Sequence, residues 1–565
     1  MKSNIHFLNI VMIAVIAIII DYIIYITSWP YKIVASVICI TILTIYIWLI
    51  KKGKIQINHN FEMLDLIFWI IIIGFAIINI NKPDFSYDVD NYHIYLQENI
   101  KIDKINFDFF VGNAIQGFLF PLGDRMHYLI RTFLGYRLGT ILSYYAIIVI
   151  YYQTKEIFQH FFGKHKLIPI CSILCYSSSI LRQWIGTYYI DLFSVVFLLG
   201  VINYALKKDI LKDKKNLFFV ALIAGIATGI KVTNIILLIP IGIYVIIMER
   251  KNFNKKKVVE ILIAVAIFFI PFTLYIIDNI SQTGSPLFPY YNNIFKSEFF
   301  GDFSWKDHRF GIPSVLHALV WPIYTSSIKL GYGDDWYIAD YIWAIGYVFT
   351  IITVIYCITK RKKESGIFSL GILSLGLTLI WIIALEGYMR YALIIPVMYS
   401  IVIGYVILNK TKDKEIKISS INESICIIIV ALIMLIKIIP EIDQFMLANV
   451  SRMIIDNNKT IHIDGVWGVL NDDSALTELV REEGTPIYNL EMKNTNTSKV
   501  ANEIYQTKIK DKDIYILTLS ASSTIKKLQD RGFETEFVRK YTTEEIPYIY
   551  YGNIMLYKIR MNKVE

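Results

Sequence analysis

Long apolar runs alternate with short polar ones from the N-terminus to about residue 440. A run of about 18 or more apolar residues is long enough to cross a bilayer core of roughly 30 Å. By that measure the pattern predicts spans at 8–28, 31–50, 62–80, 138–152, 167–182, 184–206, 216–229, 233–248, 257–277, 341–358, 367–385, 391–408 and 422–439. That is about thirteen, the shortest near 15 residues and compatible with a re-entrant or half-inserted segment. The first run, "MKSNIHFLNIVMIAVIAIII", is followed by "SWPYK" rather than by a small-x-small cleavage site, so it reads as an uncleaved span.

Past residue 440 the pattern changes. "IHIDGVWGVL", "TPIYNL", "DIYILTL", "FETEFVRKY" and "IMLYKIR" are short β-like runs. Between them lie helical candidates, Asp473–Glu483 and Ser522–Arg531, each opened by a polar cap residue and closed by a glycine. Alternating strands and helices predict a small α/β domain. The expected organisation is an α-helical polytopic membrane module over 1–440 and an extracytoplasmic α/β domain over 441–565. No internal repeat or low-complexity linker is visible.

Charge fixes the expected orientation. Numbering the spans alternately puts "KKGK" (51–54), "KEIFQHFFGKHK" (155–166), "KKDILKDKK" (207–215), "ERKNFNKKK" (249–257), "KRKK" (360–363) and "KTKDKEIK" (410–417) on one side. Basic loops mark the cytoplasmic face. The long loops 81–137 and 278–340, the turns near Trp184, Lys231 and Arg390, and everything after residue 440 then lie outside. Within the first loop, "GNAIQGFLFPLGDRMHYLIRTF" is amphipathic and reads as a helix lying at the interface.

Composition narrows the class. The 565-residue chain is 55% hydrophobic and 18% charged, which excludes an ordinary soluble domain. Its net charge of +9 sits in the short loops, so it speaks for membrane topology and not for nucleic acid. Cys39, Cys171, Cys175, Cys357 and Cys426 lie in or beside apolar runs, which argues against a disulfide framework. Cys171 and Cys175 have helical spacing and read as packing residues.

The candidate chemistry lies on the external side. "PDFSYDVDNYHIYLQENI" (83–100) follows the third span and carries Asp88, Asp90 and His93. Asp191 opens the sixth span, Lys231 lies in "GIATGIKVTN", Asp307 and Arg309 in "KDHRFG", and Arg390 in "EGYMRYALIIP". Five separate segments thus bring ionisable groups to one depth, where such groups are costly and usually functional. Each has a plainer reading. Asp88, Asp90 or Asp191 can cap a helix. Lys231 and Arg390 can snorkel to headgroups. Arg309 can form a loop salt bridge, His93 can be a structural hydrogen-bonder, and Asp21, inside span one, reads as a polar packing group.

The ordered set resembles the GT-C superfamily of membrane glycosyltransferases, and within it bacterial proteins related to protein mannosyltransferases and the lipid A aminoarabinose transferase. The resemblance rests on Asp88, Tyr92 and His93 in "YDVDNYH", Asp191 at a span start, "GIATGIKVTN", "TGSPLFPYYN", "DHRFG" and "MRYALIIP", over about residues 60 to 410. Ser285 stands where the family usually has Asn, and Asp90 is an additional acid. The resemblance implies an inverting transferase of the bacterial cytoplasmic membrane. It would move a sugar from a polyprenyl-phosphate donor to a cell-surface glycan or glycolipid acceptor. Asp88 would be the general base, with Asp90 as helper or ligand. Lys231, Arg309 and Arg390 would hold the leaving phosphate, and His93, Asp191 and Asp307 would line the substrate site. Metal dependence stays open: Asp88 and Asp90 suit a divalent ion only if further ligands converge. The alternatives are a lipid-linked-saccharide flippase or other transporter, an O-antigen-type polymerase, and a noncatalytic scaffold. Transporters favour midplane charges and internal repeats, a polymerase would lean on arginines, and a scaffold would tolerate loss of Asp88 and Lys231.

Overall fold

The computed structural model describes residues 5–52, 61–79, 88–98, 116–253, 255–297, 302–304, 312–326, 340–362, 365–411, 460–469, 477, 480–482, 485, 487–490, 512–518, 521–530, 532–541 and 554–561. Two helices open the chain, α1 (Ile5–Thr27) and α2 (Tyr31–Lys51), followed by α3 (Asp65–Asn79). A wide turn of π-helical form, Val89–His93, runs into the short α4 (Ile94–Glu98). Next come α5 (Leu122–Gly139), α6 (Ile141–Phe162) and a broken segment containing α7 (Ile168–Ile173) and α8 (Ser179–Gln183). Then follow α9 (Asp191–Lys207), α10 (Lys214–Ile230), α11 (Asn234–Glu249), α12 (Lys255–Phe269) and α13 (Thr273–Thr283). The second long loop contributes α14 (Asn292–Phe295) and α15 (Val315–Tyr324). The bundle is completed by α16 (Tyr341–Thr359), α17 (Gly366–Ala384) and α18 (Ile394–Thr411).

Six of the described helical segments are at least 18 residues long and apolar enough to cross a membrane. Every expected span from 8–28 to 391–408 contains helix, while 422–439 and Cys426 lie outside the described residues. Two spans differ from expectation. The 167–182 run is not one helix: Ser178 turns extended and caps α8 through its hydroxyl, which accepts from the Leu181 N–H. The next helix begins at Asp191 rather than near Trp184, with residues 184–190 in irregular backbone. Irregular backbone at membrane depth is tolerated where protein surrounds it, and Trp184, Tyr188 and Tyr189 are buried.

Helix α9 is apolar all round and buried from Asp191 to Leu206, so it forms the centre of the bundle. It packs against α6, α10 and α11, while α16, α17 and α18 form a second group that meets it through α11 and α18. Outward faces of α2, α12 and α16 expose Ile, Leu and Val, as lipid contact requires.

Two findings reverse local expectations. Lys155, expected in a basic loop, lies inside α6 with 2% of its side chain exposed. Its ammonium meets Asp65 at 2.7 Å and Glu62 at 3.2 Å, and the Tyr151 hydroxyl donates to the same Asp65 carboxylate. A buried charge persists only when paired in this way, and the pair ties the start of α3 to α6. Helix α5 is bent by 97° from α6, and its polar residues point inward. Asp124, Arg125 and His127 are fully buried, whereas Phe133, Leu134 and Leu138 are exposed. With lipid as the outer solvent, charges find their partners inside the protein.

At the five β-like runs the chain forms β1 (Val466–Val469), β2 (Ile487–Asn489), β3 (Ile514–Thr518), β4 (Phe533–Tyr541) and β5 (Ile554–Met561), with α19 (Ala521–Gln529) between β3 and β4. The sheet order is β2-β1-β3-β5-β4. Strand β1 runs parallel to β2 and β3, and β5 runs antiparallel to β3 and β4. Most of the expected helix Asp473–Glu483 lies outside the described residues.

Candidate functional site

The site is assembled from four chain turns. Asp88 occupies the residue before the π-helical turn, where a capping aspartate would sit. Its backbone is helical and its side chain makes no cap hydrogen bond. The carboxylate instead pairs with Nη1 of Arg390, 302 residues away. The capping reading therefore fails for Asp88.

Asp191, 2% exposed, is the first residue of α9. One of its oxygens accepts from Lys231 Nζ at 2.6 Å and the other from Arg390 Nε at 3.3 Å. Helix N-termini favour an anion, and two cations add to that. Lys231 sits at the end of α10 in extended backbone, φ −150°. Its turn is braced by Asn234, whose amide donates to Ser194 Oγ and to the Ala227 carbonyl. Snorkelling is excluded for Lys231 and Arg390, since both heads point at carboxylates.

Arg390 lies between α17 and α18, after the residues Glu386 and Gly387 in left-handed backbone, φ 54° and 67°. Two indoles pin that turn: Trp321 Nε1 donates to the Gly387 carbonyl at 2.9 Å, and Trp381 Nε1 to the Tyr388 carbonyl at 2.8 Å. Only glycine fits at 387, because a Cβ would stand 2.0 Å from the Trp321 ring nitrogen. The guanidinium rests over Tyr189 at 4.4 Å and Trp184 at 5.1 Å, and Lys231 rests over Tyr391 at 4.6 Å. These aromatic faces replace water for the cations. Burial lowers the Lys231 pKa below the usual value, with Asp191 restoring part of it. Burial also opposes the Arg390 charge, but Asp191 and Asp88 more than offset it and raise its pKa well above normal.

A second pair borders the first. His93 Nδ1 lies 2.8 Å from Asp124 Oδ1, with the two side chains 1% and 0% exposed. Behind it, Arg125 donates to the carbonyls of Leu96 at 2.5 Å and Gln97 at 3.1 Å, fastening the end of α4. Arg125 Nε also stands 3.7 Å from Asp21, which accepts from the Tyr275 hydroxyl at 2.7 Å. Asp21 is thus a polar packing group with partners on α5 and α13.

Asp88, Tyr92, His93, Asp124, Asp191, Lys231 and Arg390 all line one cavity of about 100 Å³. Pro289 and Tyr290 of "PLFPYY" join its wall. A water needs about 10–15 Å³ by this kind of measure, so several waters or one compact headgroup fit. Of the expected site residues, Asp88, His93, Asp191, Lys231 and Arg390 are brought together. Asp307, Arg309 and the Asp90 side chain lie outside the described residues. Among the described residues no three of His, Cys, Asp and Glu form a group that could hold a metal ion. Sequence reasoning missed Asp124 and Gln116. A carboxylate and two arginines within eight residues of "GDRMHYLIR" were the available signal.

Three comparisons place the chain among known proteins. A family model described as "Domain of unknown function (DUF8201)" matches residues 129–306. No curated protein sequence matches. The fold is similar to the crystal structure of ArnT from Cupriavidus metallidurans bound to undecaprenyl phosphate, with a TM-score of 0.53 and 9% identity. That likeness covers 88% of this chain and 98% of ArnT. It shows a fold like that of ArnT, and the six apolar helices long enough to cross a membrane agree with a multi-pass membrane protein.

Proposed function

We propose that this protein is an inverting glycosyltransferase that uses a polyprenyl-phosphate-linked sugar and acts at the outer face of the bacterial cytoplasmic membrane. The observation that carries this reading is the chain of charges Asp88–Arg390–Asp191–Lys231 within one cavity. It joins a candidate base to two cations suited to a phosphate. The ArnT structure, bound to undecaprenyl phosphate, supports a lipid phosphate as the ligand class.

In the proposed reaction Asp88 takes the proton of an acceptor hydroxyl. The hydroxyl oxygen attacks the anomeric carbon from the side opposite the phosphate. The bond from the anomeric carbon to the phosphate oxygen breaks, and its electron pair stays on the phosphate. Arg390 and Lys231 offset the charge that develops there, while Asp191 holds both in place. Arg390 must exchange the Asp88 carboxylate for the donor phosphate, so donor binding itself would release the base. The basic loops support an external site, and on the same reading the C-terminal sheet would form a separate domain on that side.

The test is analysis of surface glycans in a deletion strain carrying wild type or Asp88→Asn. Wild type should restore a missing sugar, and Asp88→Asn, present in the membrane at normal level, should not. Full restoration by Asp88→Asn would remove the base and favour a transporter or scaffold.

A further inference from the structure

The cations of the cavity account for a phosphate and leave other polar atoms of its wall unexplained. Three of these have no partner among the described residues: His93 Nε2, Asp124 Oδ2 and Gln116 Oε1. All three residues line the cavity, and His93 and Asp124 are 1% and 0% exposed. Native proteins leave few such atoms unpaired, and each one asks for a ligand or water.

The three atoms share one polarity. With the Nδ1–H of His93 assigned as the donor to Asp124 Oδ1, the corresponding neutral tautomer presents a lone pair at Nε2. Asp124 Oδ2 and Gln116 Oε1 are acceptors as well. A phosphate would meet three acceptors there and be repelled. An apolar group would leave all three unpaired. A ring carrying several hydroxyl donors satisfies them together. Arg125 holds the carbonyls at the end of α4 and so keeps His93 against α5, which fixes the spacing of the acceptors.

We propose that His93, Asp124 and Gln116 form a subsite for the hydroxyls of a neutral sugar ring, in the same cavity as the cations. This inference rests on the function proposed above and names the part of the donor that the subsite reads. The cations would bind any polyprenyl phosphate, and this subsite would distinguish the sugar-bearing lipid from the bare one.

The experiment compares lipid binding to the purified full chain in detergent. The probes are undecaprenyl phosphate and its glucosyl, galactosyl, mannosyl and N-acetylglucosaminyl derivatives. At least one sugar-bearing lipid should bind about tenfold tighter than undecaprenyl phosphate, the size of one or two buried hydrogen bonds. Asp124→Asn, which keeps the shape and replaces an acceptor with a donor, should erase that margin. Gln116→Met should shrink it. Neither variant should weaken binding of undecaprenyl phosphate as much as it weakens that of the sugar-bearing lipid, and retained binding of the bare lipid also shows that they fold. No margin for any sugar, a margin that survives Asp124→Asn, or an equal loss for sugar-bearing and bare lipids would overturn the subsite. Failure to bind even undecaprenyl phosphate would instead overturn the proposed function beneath it.

Discussion

Asp88→Asn should have two opposite effects. Transfer should fall by about 10²–10⁴-fold, the usual worth of a positioned general base. Binding of undecaprenyl phosphate should become tighter. In the structure Arg390 spends Nη1 on Asp88 and Nε on Asp191. Asp191 is buried, while Asp88 is 16% exposed and Arg390 10%. A phosphate that claims Arg390 will therefore displace Asp88 first. Fully exposed pairs are worth about 0.2–1 kcal/mol, and breaking a buried pair costs about 3–5 kcal/mol. A partly buried pair falls between, near 1.4 kcal/mol, which is about tenfold in affinity. Asn keeps the volume of Asp and removes the competing charge. Titration of undecaprenyl phosphate into purified wild type and Asp88→Asn measures the gain. The same pair compared in an Arg390→Gln background separates competition for Arg390 from simple charge repulsion. Unchanged or weaker binding by Asp88→Asn would refute the reasoning. An undiminished gain in the Arg390→Gln background would refute the exchange at Arg390.

Three further outcomes follow from the geometry. Gly387→Ala should cost about 2–5 kcal/mol through left-handed strain plus the collision with Trp321, and should abolish transfer; Gly284→Ala, at φ 73° with nothing within 4 Å, should cost only about 1–2 kcal/mol. Thermal midpoints of the two variants in one detergent test the difference. Asp65→Asn leaves the buried Lys155 ammonium to Glu62, 3.2 Å away and 37% exposed, and should destabilise by up to about 3–5 kcal/mol; transfer per folded molecule should be unchanged, because Asp65 does not line the cavity. Asp340, buried at the start of α16, is pushed up to about 6 by burial, which outweighs its hydrogen bonds from Ser178 and Ile180. Its folded pKa exceeds the unfolded value, so its contribution to stability is full below about pH 4 and is lost as pH rises through about 6. Asp340→Asn should therefore gain stability relative to wild type between pH 4 and 7, and a pH-independent difference would refute this.

Run length and charge in the sequence determine that the chain is helical and crosses a membrane, and where most spans lie. These signals are local and additive: each apolar residue contributes to insertion whatever its neighbours become. The same holds for the five strands, whose β-rich runs stand where the sheet forms. Candidate residues were legible too, because ionisable groups are rare in such a chain and Asp88, His93, Asp191, Lys231 and Arg390 stand out. What no local signal carries is which of them meet. Asp88 and Arg390 are 302 residues apart, Asp191 and Arg390 199, and His93 and Asp124 31. Packing of α9 against α10 and α18, and of α4 on α5, decides those pairs. It also decides that Asp21 has partners, that Lys155 is buried, and that α5 turns its polar face inward. A charge inside a membrane protein is stable only beside its counter-charge, and only the tertiary structure says where that counter-charge lies.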